Sequence, residues 1–148
     1  MFFDDLPVGF TFTTGSREVP LGEMIEFAQK YDPQPFHVDE KAAQETPYGG
    51  LIASGFQTMA VTFLLTLDAN IWNEASLGSP GVDELRWLLP VRPGDTLHAK
   101  GEVTGAEPSK SRPHIGRTRI RYDTYNQNAE RVMTYTTTHI LRRRPTAG

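Results

Sequence analysis

The sequence predicts an α+β fold in which a strongly curved antiparallel sheet wraps one buried helix. Three observations predict it. Residues 55 to 67 carry Phe56, Met59, Ala60, Val61, Phe63, Leu64, Leu65 and Leu67, apolar nearly all round, and such a helix belongs inside a fold. Beyond it the hydrophobic period changes to two. Leu97, Ala99, Gly101 and Val103 alternate with Thr96, His98, Lys100 and Glu102, the pattern of a half-buried strand. Four strand-like segments come late and one comes early around this single long apolar helix, which suits an antiparallel sheet folded over it.

Taken in order, residues 10 to 19 are rich in Phe, Thr and Val and predict a first strand. Leu21, Met24, Ile25, Ala28 and Tyr31 recur at helical spacing, so residues 21 to 31 predict an amphipathic helix that stops before Pro33. Asp39 heads a short helical turn as its cap. A Pro-Tyr-Gly-Gly turn from Pro47 feeds the long helix. Ser54 followed by Gln57 reads as a capping box, with Gly55 the first helical residue. Strands are expected at 82–88, 97–103, 115–125 and 131–141, with a turn over 90–95. No repeat of 20 to 50 residues is present.

Composition narrows the function. A chain of 148 residues with 38% hydrophobic and 10% aromatic content suits one domain, expected over 1–148, with a substantial core. The net charge of −3 gives no electrostatic reason for nucleic-acid binding. There is no cysteine, which excludes disulfides, thiol nucleophiles and cysteine-ligated metals. The start, Met-Phe-Phe-Asp-Asp, lacks the pattern of a signal peptide, and the long apolar run ends before Asp68, well short of the ~20 residues that span a bilayer. A soluble cytoplasmic protein without membrane or nucleic-acid partners is the expectation. His98 and His139 read as ordinary strand residues, His114 as a solvated loop residue, and Arg142, Arg143 and Arg144 as a solvated tail.

Residues 31 to 37 read Tyr-Asp-Pro-Gln-Pro-Phe-His. Each proline fixes its own φ and drives the preceding residue toward extended geometry. Asp32 and His37 therefore stand on a stiff loop, expected outside the core, and together can hold a water and move its protons. At the start of the long helix, the free N–H of Gly55 lies at the positive end of the dipole and has no side chain to block it. Such a donor can stabilise a carbonyl oxygen that becomes an enolate.

The run Asp-x-Gln-Pro-Phe-His, followed by Gly-Leu-Ile-Ala-Ser-Gly and by Asp-Glu-Leu-Arg-Trp-Leu-Leu-Pro-Val-Arg-Pro-Gly-Asp-Thr-Leu over 83–97, resembles the MaoC-like dehydratase and (R)-specific enoyl-CoA hydratase family. Asp32, Pro35 and His37 fall on the family's Asp-x-Asn-Pro-x-His positions, and Gly55 falls on its helix-start glycine. Gln34 departs from the motif asparagine, and Ser54 stands where better-known hydratases carry histidine.

The resemblance implies a hotdog fold and subunits paired as a homodimer or dimer of dimers. It implies hydration and dehydration of 2-enoyl thioesters, with Asp32, His37 and Gly55 catalytic and Gln34, Pro35, Phe36 and Ser54 around the substrate. No metal or redox cofactor is implied, since coenzyme A or an acyl carrier arrives as part of the substrate. Two alternatives stand beside this reading. One is a hotdog acyl-CoA thioesterase, which commonly uses a carboxylate on the central helix; residues 55 to 67 hold none. The other is a non-catalytic acyl-thioester-binding module, which the change at Gln34 keeps open.

Overall fold

The computed structural model describes residues 1–146. A single strand over 10–19 does not form. Two short strands take its place, β1 (Thr11–Thr13) and β2 (Arg17–Glu18). The break follows from Thr14. Its side-chain oxygen, not a backbone carbonyl, accepts from the Ala99 N–H at 2.9 Å. The ladder is thereby handed to a side chain, and the backbone leaves the sheet at Gly15 and Ser16 before rejoining at Arg17, opposite Leu97.

Three helical segments follow. Helix α1 (Leu21–Tyr31) ends where Asp32 turns away at φ −156° ahead of Pro33. Gln34 is extended, with ψ 145°, as a residue before proline should be. Pro35 then opens a helical turn absent from the sequence expectation, α2 (Pro35–Val38). Its fixed φ suits the first helical position, where no N–H is needed. Helix α3 (Glu40–Gln44) has the expected cap, with Asp39 accepting from the N–H groups of Lys41 and Ala42.

The long helix, α4, runs Gly55–Ala69 and ends at Asn70, whose φ of 53° gives it a left-handed cap. It is not buried all round. Its sheet-facing side holds Thr58, Val61, Thr62, Leu65 and Thr66, and the buried Thr62 hydroxyl bonds Thr124 on the sheet at 2.9 Å. Phe56, Phe63 and Leu64 remain exposed on the opposite side. The sheet covers one side of the helix, and the ring contacts of Phe56 with Trp87 and of Phe63 with Trp72 leave those two phenylalanines exposed.

The remaining strands are β3 (Val82–Trp87), β4 (Thr96–Pro108), β5 (Ile115–Tyr125) and β6 (Arg131–Arg142). They form an antiparallel sheet in the order β1-β4-β5-β6-β3, with β2 also on β4. The alternation read from the sequence holds on β4, where Leu97, Ala99, Gly101 and Val103 are all buried. Leu97 and Val103 join Leu6, Met24, Ile120, Val132 and Leu141 in the core. Edge strand β3 carries a register shift between Asp83 and Arg86, with Glu84 at φ 53°. Val82, Trp87, Leu88 and Leu89 on and beyond it are exposed, an apolar edge of the kind proteins usually cover.

Arg142 and Arg144 are exposed, as expected of a solvated tail, but the tail is also tied to the rest of the chain. Arg143 pairs with Asp4 at 2.7 Å, and Arg142 donates to the Glu74 carbonyl at 3.1 Å. Arg144 pairs with Asp5. Among the described residues, no helix is long and apolar enough to cross a membrane.

Candidate active site

The end of α1, the turn α2 and the start of α4 meet at one point. Asp32 Oδ2 lies 3.2 Å from His37 Nε2 and accepts from the Ser54 hydroxyl at 2.8 Å. Asp32 Oδ1 accepts from Gln34 Nε2 at 2.7 Å. His37 Nδ1 lies 2.8 Å from the Ile52 carbonyl oxygen. A carbonyl only accepts, so Nδ1 carries a proton and Nε2 is the ring atom that faces Asp32. His37 is 4% exposed and sits on a helical turn. The expectation of a residue outside the core fails for it, because α2 folds the imidazole inward beneath residues 51–54.

Burial raises the Asp32 pKa, but the hydrogen bonds from Gln34 and Ser54 and the charge of His37 outweigh burial and hold it below the usual carboxylate range. These bonds favour the ionised form. Their contribution to stability is therefore present above the unfolded carboxylate pKa and is lost as pH falls through the lower folded value.

The Ser54–Gln57 capping box is only half made. Ser54 Oγ accepts from the Phe56 N–H at 3.3 Å. Gln57 does not reach back, and its Oε1 is buried without a partner among the described residues. Ser54 thus has two tasks, capping α4 and holding Asp32. Ser54→Ala should lower stability by about 1 kcal/mol through the lost cap. It should also raise the Asp32 pKa, moving the acid limb of a kcat/KM profile to higher pH. An acid limb that stayed in place would show that Asp32 does not govern it.

A cavity of about 420 Å³ opens in front of these groups. Asp32, Gln34, Phe36, His37 and Gly55 all line it. Pro35 is exposed at the start of α2, and Ser54 is fully buried behind Asp32; neither is part of the lining. Among the described residues the Gly55 N–H has no acceptor. Trp87, Leu88, Leu89, Pro90, Val91, Tyr48 and Phe56 also belong to the lining. Among the described residues, no three His, Asp or Glu side chains converge to hold a metal ion.

Residues 9–126 match the family model of the MaoC like domain. The chain belongs to the MaoC-like dehydratase family. A crystal structure of the MaoC-like dehydratase from Rhodospirillum rubrum is 39% identical, with a TM-score of 0.92 and 99% of each chain covered. The uncharacterized protein YdeM of Bacillus subtilis is 31% identical over 132 residues, 89% of this chain and 92% of that one. The 3-hydroxybutyryl-CoA dehydratase of Methylorubrum extorquens is 29% identical over 120 residues, 78% of this chain and 71% of that one. The sheet folded against α4 is the hotdog fold.

In this MaoC-like protein the sequence motif located Asp32 and His37 but did not single out Trp87 in the cavity lining. Trp87 donates from Nε1 to the Gly55 carbonyl at 2.9 Å and packs edge-on against Phe56. It sits 32 residues from Gly55 in sequence. The one signal for it was its place within the 83–97 run. The Ile52 carbonyl that orients His37 had none, since a backbone acceptor leaves no mark on residue type.

Proposed function

We propose that this protein hydrates 2-enoyl thioesters to (R)-3-hydroxyacyl thioesters and catalyses the reverse dehydration. The observation that carries this reading is the presence of Asp32, His37 and Gly55 in the lining of one cavity, with the two side chains 3.2 Å apart. Membership of a dehydratase family and likeness to a 3-hydroxybutyryl-CoA dehydratase support it.

In the hydration direction, Asp32 and His37 hold a water against the β-carbon. As the water oxygen bonds to that carbon, its proton passes to the Asp32 carboxylate. The π electrons move onto the thioester oxygen, which the Gly55 N–H stabilises at the positive end of α4. The Asp32 proton then crosses to His37 Nε2, which delivers it to the α-carbon on the same face, so Asp32 and His37 end as they began and the net change is addition of one water. Coenzyme A or an acyl carrier enters only as the thiol portion of the thioester and is not released.

A thioesterase reading is weaker, because α4 carries no carboxylate until the exposed Asp68. A non-catalytic binding module would not need the low-pKa carboxylate against an imidazole. The test is a panel of 2-enoyl-CoA esters of graded length, followed through loss of the conjugated double bond. We also propose a homodimer that buries the exposed side of α4 and the apolar edge at β3; sedimentation at micromolar concentration should give about twice the 16.6 kDa chain mass.

A further inference from the structure

A second cavity of about 260 Å³ lies farther along α4. Met59, Phe63, Trp72 and Val82 give it apolar walls, and Tyr135 and His139 give it polar ones. It is not an ordinary gap in the core, because its polar wall is built. Trp72 Nε1 donates to the Tyr122 hydroxyl oxygen at 3.0 Å. Tyr122 is 1% exposed, and its own proton needs an acceptor. His139 Nε2, at 2.9 Å, provides one. With Nε2 accepting, a neutral His139 carries its proton on Nδ1. Burial lowers the His139 pKa to about 4, so the ring is neutral near pH 7.

Among the described residues, neither His139 Nδ1 nor the Tyr135 hydroxyl has a hydrogen-bond partner. Neither atom is sealed in the protein, and both residues, 4% and 3% exposed, line this cavity. Two donors thus stand unused at the wall of an apolar space. A buried donor without a partner loses free energy that a matching acceptor restores.

The two cavities share their supports. On α4, Phe56 and Thr58 line the first while Met59 and Phe63 line the second; on β3, Trp87 lines the first and Val82 the second. Gly55 and Phe63 are about 12 Å apart along the helix, at ~1.5 Å per residue, a span that a medium-length acyl chain covers.

We propose that the second cavity receives the far end of the acyl group and selects for a hydrogen-bond acceptor there, such as a ketone oxygen, through Tyr135 and His139. The proposal rests on the thioester reading above and names the substrate class within it.

The test compares a ten-carbon 2-enoyl-CoA with its analogue bearing a ketone on the penultimate carbon. Wild-type kcat/KM should favour the ketone. Tyr135→Phe removes one hydroxyl and keeps the ring, and should reduce that preference about five- to ten-fold, the size of one hydrogen bond, while leaving the plain substrate little changed. Calorimetric binding of the two saturated acyl-CoA analogues should show the same preference without turnover. Equal or poorer use of the ketone by wild type, or a preference untouched by Tyr135→Phe, overturns the proposal. Tighter binding of the ketone analogue without turnover of either enoyl ester retains the cavity's role and removes the hydratase reading instead.

Discussion

Asp32→Asn should lower hydratase turnover by on the order of 10²–10⁴, the usual size of a lost acid–base group, with little loss of fold. Asparagine keeps the shape of the side chain and can still accept from Ser54 or Gln34, but it cannot take a proton from water. His37→Ala should lower turnover by a similar factor, and here stability falls as well. His37 is buried and donates to the Ile52 carbonyl. Removing the ring leaves that carbonyl without its partner, a loss of about 1–3 kcal/mol. Melting curves and steady-state kinetics on the same preparations separate the two effects. Full activity in either variant would remove that residue from the mechanism.

Gly55→Ala should lower turnover by roughly 10²–10³, as loss of one oxyanion donor does elsewhere, and should also disturb the cavity wall. A methyl group at Gly55 would overlap the Trp87 indole. The ring must swing out, which breaks its bond to the Gly55 carbonyl and opens the mouth of the site. The variant therefore mixes two effects, and the double variant Gly55→Ala/Trp87→Leu resolves them. Relief of the overlap should restore the melting temperature while turnover stays low, because the methyl still crowds the approach to the N–H. Recovery of turnover along with stability would make Gly55 a packing residue and withdraw its role toward the enolate.

Strands β4 and β5 and helix α1 were legible because one buried face sets the period of each, and α4 was legible as a long apolar run. The pair Asp32 and His37 was legible because two prolines bracket it at a recognisable spacing. Where the sequence misled, local pattern lost to tertiary context. The apolar run of α4 implied burial on all sides, yet the sheet takes the threonine side and leaves Phe56, Phe63 and Leu64 outside. Thr14 broke the first strand by offering its hydroxyl to Ala99, a contact 85 residues distant in sequence that no window detects. His139 looked like any strand residue. Only the fold brings it to Tyr122 and Trp72. Gln57 had the right spacing for a capping box, but its side chain turned into the protein.

The most direct measurement mixes the purified protein with crotonyl-CoA and with longer 2-enoyl-CoA esters, follows absorbance of the conjugated double bond and free thiol together, and determines the configuration of the product. The account predicts that absorbance falls, that no thiol is released and that the 3-hydroxyacyl product is (R). Thiol release would make the protein a thioesterase. Unchanged absorbance with every ester, despite tight binding, would make it a carrier of acyl thioesters and contradict the assignment of Asp32 and His37 as an acid–base pair.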